Sequence, residues 1–199
     1  MNKSKRKALT NTIGLEYQKN AFETEELKEL ENGLSDCGIS LKTHVNTPKY
    51  IMGIEELFPQ IQVFLSPDIV QTICLGIASG ALWDGIKYFL SSLRKMVKKK
   101  PFTYVSNGKV DTNATPNIHV NIGKSHVVLP MDIDDKKFEY FVDKMFESIN
   151  QDTITEEKYA FYDAEKETLE YYSRREVAMK SYKQWGKSKE SEKKIKQKF

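Results

Sequence analysis

Two cysteines in 199 residues, Cys37 and Cys74, cannot make a disulfide framework, and the chain reads as cytoplasmic with reduced thiols. Three histidines supply neither an evident acid–base set nor a complete metal site. A phosphate loop is missing: Gly123-Lys124-Ser125 has no upstream glycine and no helix behind it. The run Gly76-Ile77-Ala78-Ser79-Gly80 lies in an apolar helical stretch, unlike the strained strand-to-helix turn that presents a nucleophilic serine. The sequence therefore predicts no catalytic residues, no cofactor and no metal. Charge of one sign is also scarce: 31 Lys and Arg against 28 Asp and Glu give a formal +3, too little by itself to mark a nucleic-acid binder. The basic start, MNKSKRKALTNTIG, has no apolar run behind it and reads as a flexible arm over residues 1–22.

What is present is organised around Ser66–Lys100. Ser66 caps, Pro67 fits a first helical turn and Asp68 suits the positive end of a helix dipole. From Ile73 to Trp83 nearly every residue is apolar, which predicts an enclosed helix; beyond Asp84 the pattern becomes one-sided, with Ile86, Phe89, Leu90, Leu93 and Met96 in a stripe. One continuous helix over Pro67–Lys98 is expected. Its cluster Arg94, Lys95, Lys98, Lys99 and Lys100 is a candidate phosphate-binding patch, the basis of an alternative reading as a nucleic-acid-binding accessory protein. The small residues Gly76 and Gly80 give a further alternative, membrane association through residues 69–83, although that run spans only about 22 Å against ~30 Å of hydrocarbon.

Around this stretch the pattern alternates. Thr24 opens an amphipathic helix that ends near Cys37-Gly38, and Ile39–Val45 and Gln60–Leu65 read as strands. Phe102–Ser106 and Lys109–Thr112 form a hairpin across Asn107-Gly108. A second hairpin pairs Asn117–Ile122 with Ser125–Pro130, setting Val120 opposite Val127 and Ile118 opposite Leu129. Its other face carries His119, Asn121, His126 and Val128, and reads as solvated; two diagonal histidines fall short of a metal's usual three or four ligands. Asp132, Asp134 and Asp135 precede a helix over Asp134–Ile149, where carboxylates cap.

Thr155–Trp185 reads as a long helix with an aromatic side. On it Phe161, Tyr171, Tyr172, Met179, Tyr182 and Trp185 are candidate partner-binding residues, because large aromatic side chains on a polar element make interface anchors. The predicted fold is α+β: a small, mainly antiparallel sheet packed against one long apolar helix and a second amphipathic one. The core spans 23–150, the C-terminal helix 151–185 and a lysine-rich mobile tail 186–199. This leaves a non-catalytic protein-interaction module, a regulatory or adaptor component of a larger bacterial assembly, with a protein partner of unknown identity.

The segments IVQTICLGIASGALWDGIKYFLSSL, NIHVNIGKSHVVLP and KKFEYFVDKMFESI, in that order over about residues 60–149, resemble the small effector-associated accessory components of bacterial conflict systems. The resemblance implies a non-catalytic protein that couples or restrains an effector module, and assigns no functional residue.

Overall fold

A computed structural model describes residues 11–46, 61–77, 80–100, 102–106, 109–114 and 116–179. Strand β1, Thr12–Gln18, alternates with period two and buries Ile13, Leu15 and Tyr17. The flexible arm expected over residues 1–22 is thus corrected from Thr12 onward, where the chain forms an interior strand; residues 1–10 lie outside the described set. Helix α1, Thr24–Ser35, starts where the Glu23 N–H donates to the Glu26 carboxylate at 2.8 Å. Strand β2, Ser40–Asn46, then returns parallel to β1 in an unbroken register from Thr12 opposite Ser40 to Gln18 opposite Asn46.

Strand β3, Ile61–Leu65, lies antiparallel on the other side of β1. The single helix expected next is two: α2, Pro67–Cys74, and α3, Gly80–Lys98. Ser66 Oγ caps α2 as expected, accepting from the Ile69 N–H at 3.4 Å. Gly76, at φ +65°, turns the chain out of α2. The enclosure expected for Ile73–Trp83 fails at this bend, where Leu75 is 61% and Ile77 68% exposed and Gly76 and Gly80 face open space. Apolarity on every side signalled burial, but a break in the helix points these side chains away from the core. The burial expected of the later stripe holds for Ile86, Phe89, Leu90 and Leu93.

Strands β4, Phe102–Ser106, and β5, Lys109–Ala114, make a separate two-stranded sheet. Strands β6, Ile118–Ile122, and β7, Ser125–Val128, pair in the expected register, with Val120 opposite Val127 and the Leu129 N–H donating to Ile118 O at 2.9 Å. Their turn needs Gly123: at φ +61° a Cβ there would stand 2.5 Å from Ile154 O. Helix α4, Asp135–Glu147, is capped by Asp134, whose carboxylate accepts from the Lys137 N–H at 2.8 Å, as the sequence predicts. A short helix α5, Gln151–Thr155, follows.

Where a long helix was expected, Tyr159–Asp163 and Thr168–Tyr172 form an antiparallel hairpin, β8 and β9. Asp163 builds the turn by accepting the N–H groups of Glu165 and Lys166 at 3.0 and 3.1 Å, and Glu167 takes a left-handed φ of +53°. Among the described residues after β9, helical backbone covers 174–179, while Tyr182, Trp185 and the tail 186–199 lie outside the described residues.

The main sheet has seven strands in the order β2-β1-β3-β6-β7-β8-β9. Parallel neighbours (β1–β2, β3–β6, β7–β8) alternate with antiparallel ones, so the fold is α/β with a mixed sheet, larger and less antiparallel than expected. Each parallel pair is joined by a connection containing a helix, as parallel geometry requires. Residue 150 is not the end of the body, since β8 and β9 belong to the same sheet.

Candidate functional site

The two faces of the sheet differ in chemistry, and the register assigns every side chain to one of them. Ile13, Leu15, Ile61, Val63, Ile118, Val120, Val127 and Ala160 share one face and join the buried residues of α1, α3 and α4 in a single core. On the opposite face a transverse row runs Lys42, Gly14, Phe64, Asn121, His126, Tyr159, Tyr172 across β2, β1, β3, β6, β7, β8 and β9. The neighbouring row reads His44, Glu16, Gln62, His119 and Val128.

Hydrogen bonds tie these rows together. Asn46 Nδ2 donates to Glu16 at 3.3 Å, and Asn121 Nδ2 donates to Gln62 Oε1 at 3.4 Å. Asn121 Oδ1 accepts from His126 Nδ1, which places the proton on that nitrogen. The His126 ring stacks on Tyr159 with centroids 4.9 Å apart. Asn121 is 6% exposed. His119 is partly buried; that burial, then the neighbouring His126, pushes its pKa down to about 4, so the ring is neutral near pH 7. The hairpin face expected to be solvated is therefore a polar network, partly withdrawn from water. Among the described residues no group of three His, Cys, Asp or Glu is placed to hold a metal.

Aromatic side chains extend this face. Phe64 is 36% and Phe161 37% exposed, and Phe161 lies 6.0 Å from Tyr172 between ring centroids. The sequence-predicted partner-binding set is thereby split. Phe161 and Tyr172 share the polar–aromatic face because alternation, not helical period, places them. Tyr171 points the other way, where its hydroxyl is hydrogen-bonded to Ser148 beside the end of α4. Met179 is exposed, on the helical backbone over 174–179. Phe64, His119 and His126 had no place in the expected set; their signal was the alternation of β3 and of the β6–β7 hairpin.

The structure takes Arg94 out of the basic cluster and engages part of the rest in ion pairs. Arg94 is 1% exposed, and its guanidinium donates to the carbonyls of Pro130, Met131 and Ile133 and to Asp135. It also lies 4.5 Å from the Phe138 ring centre. Lys95 pairs with Asp135 at 3.1 Å, and Lys100 with Glu26. Only Lys98 and Lys99 remain exposed and outside these pairs, because a helix end folded against β-strand connections consumed the other three cations. The membrane reading meets a similar limit: no helix among the described residues is long and apolar enough to cross a bilayer.

A concavity of about 540 Å³ lies between α1 and α3, lined in part by Glu29, Asp36, Cys37, Asp84 and Tyr88. Tyr88 lies over Gly33, where a Cβ would meet its ring at 2.0 Å. The lining offers a thiol and three carboxylates with no imidazole or ammonium group to activate the thiol. No protein-family model, curated protein or solved structure matches the chain.

Proposed function

We propose that the chain is a non-catalytic protein-interaction module, an adaptor or regulatory component of a larger assembly, whose contact surface is the polar–aromatic face of the sheet. The observation that supports it is the exposure of Phe64 and Phe161 on that face, beside a hydrogen-bonded set of amides and imidazoles. Aromatic anchors ringed by satisfied polar groups are the composition of protein–protein contact surfaces. This reading agrees with the resemblance to accessory components of conflict systems. It moves the expected surface from a helical stripe to a sheet face and retains Phe161 and Tyr172.

A photo-crosslinking residue at Phe161, with a control at exposed Tyr140 on α4, tests it in the source cell. Crosslinks from position 161 alone should identify a partner for reconstitution. Phe161→Ser should then weaken the purified complex by roughly tenfold or more. Equal crosslinking from both positions would overturn the assignment.

A further inference from the structure

Among the described residues strand β2 closes one edge of the seven-stranded sheet, and the register shows which of its backbone groups face β1. The Ser40 N–H donates to Asn11 O at 2.9 Å, toward β1. In a parallel ladder this direction alternates residue by residue. Ser40, Lys42, His44 and Asn46 therefore turn their N–H and C=O groups to β1, and Leu41, Thr43 and Val45 turn theirs outward. Natural edges are blunted by shortness, bulges, proline or inward charge. The ladder of β2 is regular over its whole length, contains no proline, and has Lys42 as its main guard.

We propose that β2 takes up an extended segment of a partner protein, alternating apolar and acidic residues, as an eighth strand. Backbone pairing supplies the attachment and alternate side chains the selection. Leu41, Thr43 and Val45 lie on the core side, where Val45 is 44% exposed and offers apolar contact. Lys42 and His44 lie on the opposite side, both exposed, and Lys42 has no ion pair among the described residues. The carboxylate in register with His44, Glu16, already accepts from Asn46. An acidic residue from an incoming strand meets Lys42 without displacing an existing pair. Antiparallel self-pairing of a second copy about Thr43 would set Lys42 against His44 of the copy and offer it no carboxylate, which an acidic partner strand supplies. The proposal rests on reading the chain as an interaction module and uses a different surface from Phe64 and Phe161.

The test is amide exchange of the full chain with a blocked peptide of about seven residues alternating valine and glutamate, long enough for an ordinary strand. Exchange at Leu41, Thr43 and Val45 should slow roughly tenfold or more at saturation, while Lys42 and His44, already bonded to β1, stay unchanged. Thr43→Pro removes an outward N–H without breaking the β1 ladder; it should abolish the protection and leave the folded spectrum intact. Lys42→Glu should weaken the glutamate peptide roughly tenfold and favour a valine–lysine one. No protection at millimolar peptide, or equal protection in Thr43→Pro, would overturn the proposal. So would protection that rises with protein concentration alone, which would assign the edge to a second copy. If the peptide fails while a reconstituted complex still depends on Phe161, the edge proposal falls and the interaction reading stands.

Discussion

The core-bearing face and the polar–aromatic face of the sheet use the same seven strands to opposite ends. On the first, strand residues of alternating parity meet the apolar sides of α1, α3 and α4, and almost nothing polar intrudes. The largest polar side chain buried there is Arg94, whose guanidinium donates to carbonyls and Asp135. On the second, the residues one step along each strand carry amides, imidazoles and aromatic rings that make lateral hydrogen bonds and leave Phe64 and Phe161 in contact with solvent. Stability belongs to the first face, and the proposed recognition to the second. The contrast teaches that a one-residue offset in a strand is enough to separate the two tasks.

Substitutions should reproduce that contrast in size. Phe138→Ala, in the core beneath Arg94, should destabilise by about 3–5 kcal/mol in denaturant unfolding, since it removes a fully buried ring and leaves a cavity. Acid should strike the polar–aromatic face next. His119 has a folded-state pKa of about 4, below its unfolded value of about 6.5, so between these values the unfolded chain binds the extra proton. Stability should be fully present above pH ~6.5 and fall as pH drops toward ~4, by up to about 3 kcal/mol. His119→Gln should flatten that part of the pH profile.

Smaller effects sharpen the boundary between the faces. The Tyr162 hydroxyl is buried on the core side without a hydrogen-bond partner among the described residues, its ring edge-on to Phe141 at 5.3 Å. Tyr162→Phe should therefore leave stability unchanged or raise it by up to about 1 kcal/mol in thermal or denaturant unfolding. Phe161→Ala, on the exposed side, should change stability by less than about 0.5 kcal/mol.

The parts legible in the sequence are those whose signals are local. Gly123 and the alternation of Ile118, Val120, Val127 and Leu129 determined the β6–β7 register, and Ser66-Pro67 and Asp134 marked helix starts. Strand β1 was hidden because Ile13, Leu15 and Tyr17 follow a lysine-rich start, and their partners β2 and β3 lie far along the chain. The β8–β9 hairpin was read as helix because Tyr159–Tyr172 has no glycine at its turn; Asp163 and a left-handed Glu167 make that turn instead. The candidate surface was half legible for the same reason. Helical periodicity grouped Phe161 with Tyr171, whereas strand alternation puts them on opposite faces. The burial of Arg94 was not legible, because cation spacing does not reveal that its side chain points inward.

Hydroxyl-radical labelling of aromatic side chains in the full-length chain tests the contrast most directly. Phe64 and Phe161 should be modified readily in the isolated protein and protected once its partner is bound, while Phe89, Phe138 and Phe141 resist labelling in both states. Resistance of Phe64 and Phe161 in the isolated chain, equal to that of the core rings, would contradict an open recognition face.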